Sequence, residues 1–219
     1  MTYRHILFDI DGTLIDTEQM LLTVFSDVLR RRYQRELTID MFRSTFGLPC
    51  DVALRAIGLE PRQSVMDEIQ QGIRRSLHLA RLFPGIGELI PTLHAAGLTL
   101  GLVTSKNRQE FQSSFVPFGL APYFSLSVCS DDTPRGKPYP DPILYYMAQQ
   151  DAAPRETVYI GDTAFDCQCA ERSGVDFILA AWGGVSPDMA SYSPAAKSPA
   201  HLQKLLAGRG CAATGSDSV

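Results

Sequence analysis

The chain lacks most of the features that would assign a class at a glance. No apolar run approaches the roughly 18 residues of a membrane-spanning helix, and no signal-like apolar region precedes the first strand, so a cytoplasmic protein without membrane contact is expected. There is no basic surplus: the net charge is −4, which leaves no electrostatic footprint for nucleic acid. Cysteines are few and odd in number, five, with no Cys-x-x-Cys pair, which argues against a disulfide framework and a structural zinc site. The nearest two, Cys167 and Cys169, would lie on different faces of a helix and are read as idle thiols. Internal repeats are absent. What remains, 45% hydrophobic and 20% charged over 219 residues, suffices for one domain with a small insert.

Against that plain background, the stretch HILFDIDGTL, from His5 to Leu14, stands out. His5 to Phe8 is an apolar run of the kind a strand buried on both faces shows, and it leads into Asp9, Asp11 and a Gly12-Thr13 turn. If the strand runs through Leu14, Asp9 and Asp11 point the same way. Two adjacent carboxylates repel, so the pair calls for a divalent cation or for different protonation of its members.

From Thr17 to about Leu82 the pattern is helical and poor in strands. Leu21, Leu22, Phe25, Val28 and Leu29 follow helical spacing, and three further segments are expected over Thr38 to Gly47, Asp51 to Ile57 and Arg62 to Leu82. After Pro84-Gly85 helices and strands alternate: helix Ile86 to Ala96, strand Thr99 to Val103, helix Arg108 to Phe118, strand Phe124 to Cys129, helix Pro142 to Gln150. Strand Val158 to Gly161, helix Phe165 to Ser173, strand Phe177 to Ala181 and a closing helix Ala200 to Leu206 follow. That alternation implies a parallel sheet with right-handed crossovers. The expected architecture is α/β, a Rossmann-like doubly wound parallel sheet of residues 1–15 and 83–207, interrupted by a small helical domain over 16–82. Residues 208–219 read as a disordered tail.

In open parallel sheets, ligands bind beyond the carboxyl ends of the strands. The first strand delivers Asp9 and Asp11 there, the second Thr104 and Ser105, the loop after the third Lys137, and the fourth Asp162, with Asp166 four residues on. Each alone has an ordinary explanation: a helix cap for Thr104-Ser105 or Asp162-Thr163, a surface lysine, an acid at a helix start. Together they supply carboxylates for a hard divalent metal, a cation, and hydroxyl and backbone donors for phosphate oxygens, which is equipment for phosphoryl transfer.

DIDGT, the strand ending in Thr104, Lys137 in GKPYPDP, and GDTAFD resemble the four motifs of the haloacid dehalogenase superfamily in order and rough spacing. The helical insert is similar to the small cap of its phosphoglycolate phosphatase-like branch. The resemblance implies that Asp9 is a nucleophile forming an aspartyl-phosphate and that Asp11 is the acid and then the base. It implies Mg²⁺ held by Asp9, the Asp11 carbonyl and Asp162, with Asp166 ligating or orienting, while Thr104 and Lys137 serve the phosphoryl group and Gly12 and Ser105 help bind it. Dehalogenases of the family lack an acid at the Asp11 position, so a phosphatase is implied.

For the substrate, a small phosphorylated metabolite, the resemblance points into the cap. Where sugar-phosphate mutases of this type carry histidine, lysine and arginine, this chain has Leu21, Phe46 and Cys50, which disfavours a mutase. The absence of lysine from residues 16–82 disfavours phosphonate hydrolysis through a Schiff base. Phosphoglycolate leads, followed by pyrophosphate and by sugar or nucleotide phosphates, with Arg43 and Arg55 as candidate cap cations. A non-catalytic sensor of a phosphorylated ligand is the alternative of another class. Monomer and homodimer are both open.

Overall fold

The structure, a computed structural model, describes residues 3–184 and 189–208. β1 (His5–Phe8) lies at the heart of a six-stranded parallel sheet, flanked by β4 (Thr99–Val103) and β6 (Thr157–Gly161). Outside them lie β5 (Leu126–Val128) on one side, and β7 (Asp176–Ala180) and β8 (Ala195–Ala196) on the other, giving the order β5-β4-β1-β6-β7-β8. The chain goes from β1 out to β5 on one side and returns to β6 on the other, so the direction of winding switches beside β1. At such a switch point the loops leaving neighbouring strands part and open a crevice.

Alternation along the strands divides the core into two layers. Ile6 and Phe8 face one cluster with Leu100, Leu102, Val158 and Ile160, packed against α5 (Ile86–Ala95), α6 (Arg108–Ser114) and α9 (Pro199–Gly208). Leu7 faces the other with Val103 and Tyr159, packed against α7 (Asp141–Gln150) and α8 (Ala164–Ser173). A sheet covered on both faces explains why its strands read as unbroken apolar runs.

Between β1 and α5 the chain departs into a helical insert: α1 (Glu18–Tyr33), α2 (Ile39–Thr45), α3 (Cys50–Ala56) and α4 (Gln63–Ser76). Its entry and exit are tied together by the short antiparallel pair β2 (Ile15–Asp16) and β3 (Arg81–Leu82), with Ile15 opposite Leu82. α1 and α4 bury Val24, Val28, Val65, Ile69 and Ile73.

Several expectations need correcting. The first strand stops at Phe8: the Ile10 carbonyl accepts from the amides of Thr13, Leu14 and Ile15, which curls the backbone out of the sheet just after Asp9. The helix expected to reach Phe118 ends at Ser114 and continues as a 3₁₀ turn, Val116–Phe118, because Pro117 has no amide to donate. The segment expected to be helical to Leu82 ends at Ser76 and leads through a 3₁₀ turn into β3. The tail expected from Gly208 lies outside the described residues except for Gly208, which ends α9. Among the described residues no helix is long and apolar enough to cross a membrane.

Candidate active site

The four strand ends meet as the topology requires. Asp9, one residue beyond β1, is buried, and its Oδ1 lies 2.8 Å from Lys137 Nζ. The same ammonium donates to Asp166 Oδ1 at 2.7 Å. The Asp9 carboxyl is raised to about 7 by burial above all and by Asp166 and Asp11, against the pull of Lys137. For Lys137 burial opposes the charge, but Asp166 and Asp9 outweigh it and raise its pKa.

Asp11 has a separate partner. Its Oδ2 lies 2.8 Å from Lys106 Nζ, whose side chain is 8% exposed, and its Oδ1 is buried with no hydrogen-bond partner. The two carboxylates expected to crowd one another thus pair with different lysines, although Asp11 still pushes the Asp9 carboxyl up. Burial would discharge Lys106, but Asp11 above all, with Glu110 and Asp9, keeps it protonated. Lys106 and Glu110 were not anticipated from the sequence. The available signal was position: Lys106 sits two residues past Thr104, on the same sheet edge.

Asp162 follows β6 and accepts from Thr13 Oγ1 at 2.9 Å. Burial, Asp166 and Asp9 raise its pKa well above the ordinary carboxylate range. Asp166 is different: Oδ1 accepts from Lys137 and from Tyr159 Oη at 2.8 Å, and Oδ2 accepts from the Thr163 amide at 3.0 Å and the Thr163 hydroxyl at 2.5 Å. Asp166 also completes the N-terminal capping box of α8 with Thr163. Both its oxygens are therefore occupied by protein donors, an arrangement that holds Lys137 and the start of α8 in place. Tyr159 was missed because it is a large apolar-looking member of a buried strand; its one hydroxyl proton is shared between Asp166 Oδ1 and the Val103 carbonyl, the latter at 3.0 Å.

Carboxylate oxygens of Asp9, Asp162 and Asp166 all lie within 4.8 Å of one another. The four site aspartates face two ammonium groups, a deficit of two positive charges in a buried setting. With all four ionised, one hard divalent cation would supply that charge, and oxygen donors suit it.

The glycine after Asp11 owes its presence to Asp162. Gly12 has φ +77°, and a Cβ there would stand 2.2 Å from Asp162 Oδ2. Its amide donates to the Ile15 carbonyl at 2.8 Å, so within the turn it is already used rather than free for phosphate. Trp182, just past β7, braces the same turn by donating from Nε1 to the Thr13 carbonyl at 2.9 Å. Thr104 is buried, and its hydroxyl accepts from the Lys106 amide at 3.2 Å.

Beside the helical insert lies a partly open cavity of about 70 Å³, lined by Asp9, Asp11, Ser105, Lys106, Glu110, Ser114 and Lys137 from the core and by Leu21, Phe25, Gly47, Leu48, Cys50 and Ile73 from the insert. Ser105 reaches the cavity, but its hydroxyl donates to the Gly47 carbonyl at 2.6 Å and so fastens the insert. Arg43 and Arg55, considered as cap cations, are not brought to the cavity: they are exposed, with Arg43 3.3 Å from Glu18 and Arg55 2.6 Å from Asp51. Glu110 is held by the Asn107 amide at 2.8 Å and by the amide of Gln70 from α4; burial raises its pKa.

The parallel sheet gathers aspartates and lysines at its switch point, beside a helical insert, and the sequence matches a family of hydrolases. Residues 6–180 match the model of the haloacid dehalogenase-like hydrolases, and the chain belongs to that family. It is 29% identical over 197 residues to pyrophosphatase PpaX of Anoxybacillus flavithermus, covering 89% of this chain and 91% of that protein. It is 28% identical over 182 residues to the phosphoglycolate phosphatase of Rhodobacter capsulatus, covering 80% and 82%. A crystal structure from Lactobacillus plantarum, of a protein provisionally named phosphoglycolate phosphatase, superposes with a TM-score of 0.85 at 29% identity over 94% of this chain and 100% of that one.

Proposed function

We propose that the enzyme is a cytoplasmic, Mg²⁺-dependent phosphatase that hydrolyses a small phosphomonoester through an aspartyl-phosphate on Asp9, with residues 16–82 acting as the cap. The observation that carries this reading is the unequal treatment of Asp9 and Asp11. Asp9 is buried on Lys137, which is itself anchored by Asp166, as suits a fixed nucleophile. Asp11 lines the cavity and keeps one oxygen without a partner, as suits a group that moves a proton.

In the first step an Asp9 oxygen attacks phosphorus, the bond to the leaving oxygen breaks, and Asp11 gives that oxygen its proton. In the second, water attacks phosphorus, Asp11 takes the water's proton, and inorganic phosphate leaves with Asp9 regenerated. Lys137 holds Asp9 in place and offsets charge building on the phosphoryl oxygens, and Thr104 stands at the same strand edge to meet them. Asp9, the Asp11 carbonyl and Asp162 would hold Mg²⁺, whose charge stabilises the transferring phosphoryl group. Asp166, its oxygens already taken, orients Lys137 rather than ligating.

Phosphoglycolate is the leading substrate and pyrophosphate the second, the latter favoured by the similarity to PpaX. Release of p-nitrophenol from p-nitrophenyl phosphate with Mg²⁺, abolished by chelator and by Asp9→Asn in a folded protein, is the expected result. Undiminished turnover by Asp9→Asn would sink the mechanism.

A further inference from the structure

The two lysines of the cavity are not equivalent. Lys137 is shared between Asp9 and Asp166 at 2.8 and 2.7 Å, so its charge is committed on both sides. Lys106 has one ion-pair partner among the described residues, Asp11, and its ammonium lies in the cavity wall. An ammonium has three donors, and Asp11 occupies one. The insert brings no second cation: its lining is Leu21, Phe25, Gly47, Leu48, Cys50 and Ile73. A polyhydroxylated leaving group would lie against that roof with unpaired hydroxyls, each a penalty on binding. The cavity, about 70 Å³ and partly open to solvent, is small beside a sugar or nucleoside.

We propose that Lys106 is the residue that reads the leaving group, selecting phosphoryl donors whose small leaving group carries an anionic oxygen group of its own, a carboxylate or a second phosphate. The proposal rests on the phosphatase reading above. The substrate's anion takes the donors that Asp11 leaves open, so one ammonium bridges the substrate and the proton-transferring carboxylate. The leaving oxygen is thereby drawn to the side of the cavity where Asp11 stands. The apolar roof rejects sugar and nucleoside phosphates, while Lys106 rejects neutral leaving groups of the right size.

The test compares 2-phosphoglycolate with its neutral isostere 2-phosphoglycolamide, and with pyrophosphate, on wild type, Lys106→Met and Lys106→Arg. Wild type is expected to prefer the acid over the amide by about 10- to 100-fold in kcat/KM, mainly through KM. In Lys106→Met the ratio is expected to collapse toward one, and Lys106→Arg is expected to restore part of it. Preference for pyrophosphate over phosphoglycolate identifies the anion as phosphate; the reverse identifies it as carboxylate. Equal use of acid and amide by wild type overturns the proposal without needing any variant to fold. An equal slowing of both substrates by Lys106→Met also overturns it, since Lys106 would then serve Asp11 alone. If wild type hydrolyses none of these esters nor p-nitrophenyl phosphate, the phosphatase reading fails separately. Calorimetric binding of glycolate against glycolamide then decides for Lys106: tighter glycolate binding that Lys106→Met removes supports the proposal, and equal binding overturns it.

Discussion

Ser105 Oγ donates a 2.6 Å hydrogen bond to the Gly47 carbonyl, joining the end of β4 to a turn of the helical insert 58 residues earlier in the chain. Gly47 can take part only because it lacks a side chain. Its φ is +88°, and a Cβ would stand 2.9 Å from Thr163 Cγ2, at the start of α8. The turn therefore touches the core at two strand ends, one leading to Lys106 and one to Asp166.

Gly47→Ala is expected to weaken closure while the core stays folded. The left-handed conformation costs an ordinary residue about 1–2 kcal/mol, and the close approach to Thr163 adds to it. A drop of about 10- to 30-fold in kcat/KM is expected, with a change in Tm of only a few degrees. Ser105→Ala removes one hydrogen bond, about 1 kcal/mol, and is expected to lower kcat/KM about fivefold. Full activity in both variants would show that catalysis does not depend on this contact.

Gly12→Ala tests the packing on the metal side. A methyl group 2.2 Å from Asp162 Oδ2 must displace that carboxylate, and the backbone at φ +77° is itself unfavourable for alanine. The expected result is a Mg²⁺ titration of activity shifted at least about tenfold to higher concentration, the equivalent of about 1.4 kcal/mol. An unshifted titration would mean that Asp162 is not needed to hold the ion.

The apolar runs and their alternation with helices made the sheet legible, because strands covered on both faces carry their burial in their composition. The strand ends were legible for the same reason, since Asp9, Thr104 and Asp162 each interrupt such a run. Lys106, Tyr159 and Trp182 were not. Lys106 looks like any residue of a loop until Asp11 is placed beside it, and Tyr159 and Trp182 act through a hydroxyl and an indole N–H whose partners, Asp166 and Thr13, are distant or on another element. Arg43 and Arg55 illustrate the converse: a helical arginine with an acid near in space pairs with it at the surface, which periodicity alone does not show.

Lys137→Met leaves Asp9 and Asp166 buried without their shared cation. Breaking a buried ion pair by removing one partner costs about 3–5 kcal/mol, and urea unfolding in the absence of Mg²⁺ is expected to show a loss of that size. The loss is expected to shrink when Mg²⁺ is present, since the ion supplies charge to the same carboxylates. A cost below about 1 kcal/mol without Mg²⁺ would contradict the charge balance argued for the site.

The same balance makes the effect of Mg²⁺ depend on pH. Burial raises the Asp9 carboxyl from 3.8 to about 7 and lifts Asp162 in the same direction. A carboxyl that holds its proton in the folded chain but has lost it in the unfolded one costs stability. That cost is absent below 3.8, grows as pH rises toward 7, and is fully present above. A divalent cation binds the ionised carboxylates and removes the cost, so protons and metal compete for the site. At a Mg²⁺ concentration about a hundred times the dissociation constant the stabilisation is about 2.7 kcal/mol, which for a chain of this length raises Tm by about 5–10 °C. Thermal unfolding is therefore expected to show a shift of that size at pH 8, a much smaller one at pH 5, and none at either pH for Asp162→Asn. A shift as large at pH 5 as at pH 8 would mean that the ion does not bind at the buried aspartates.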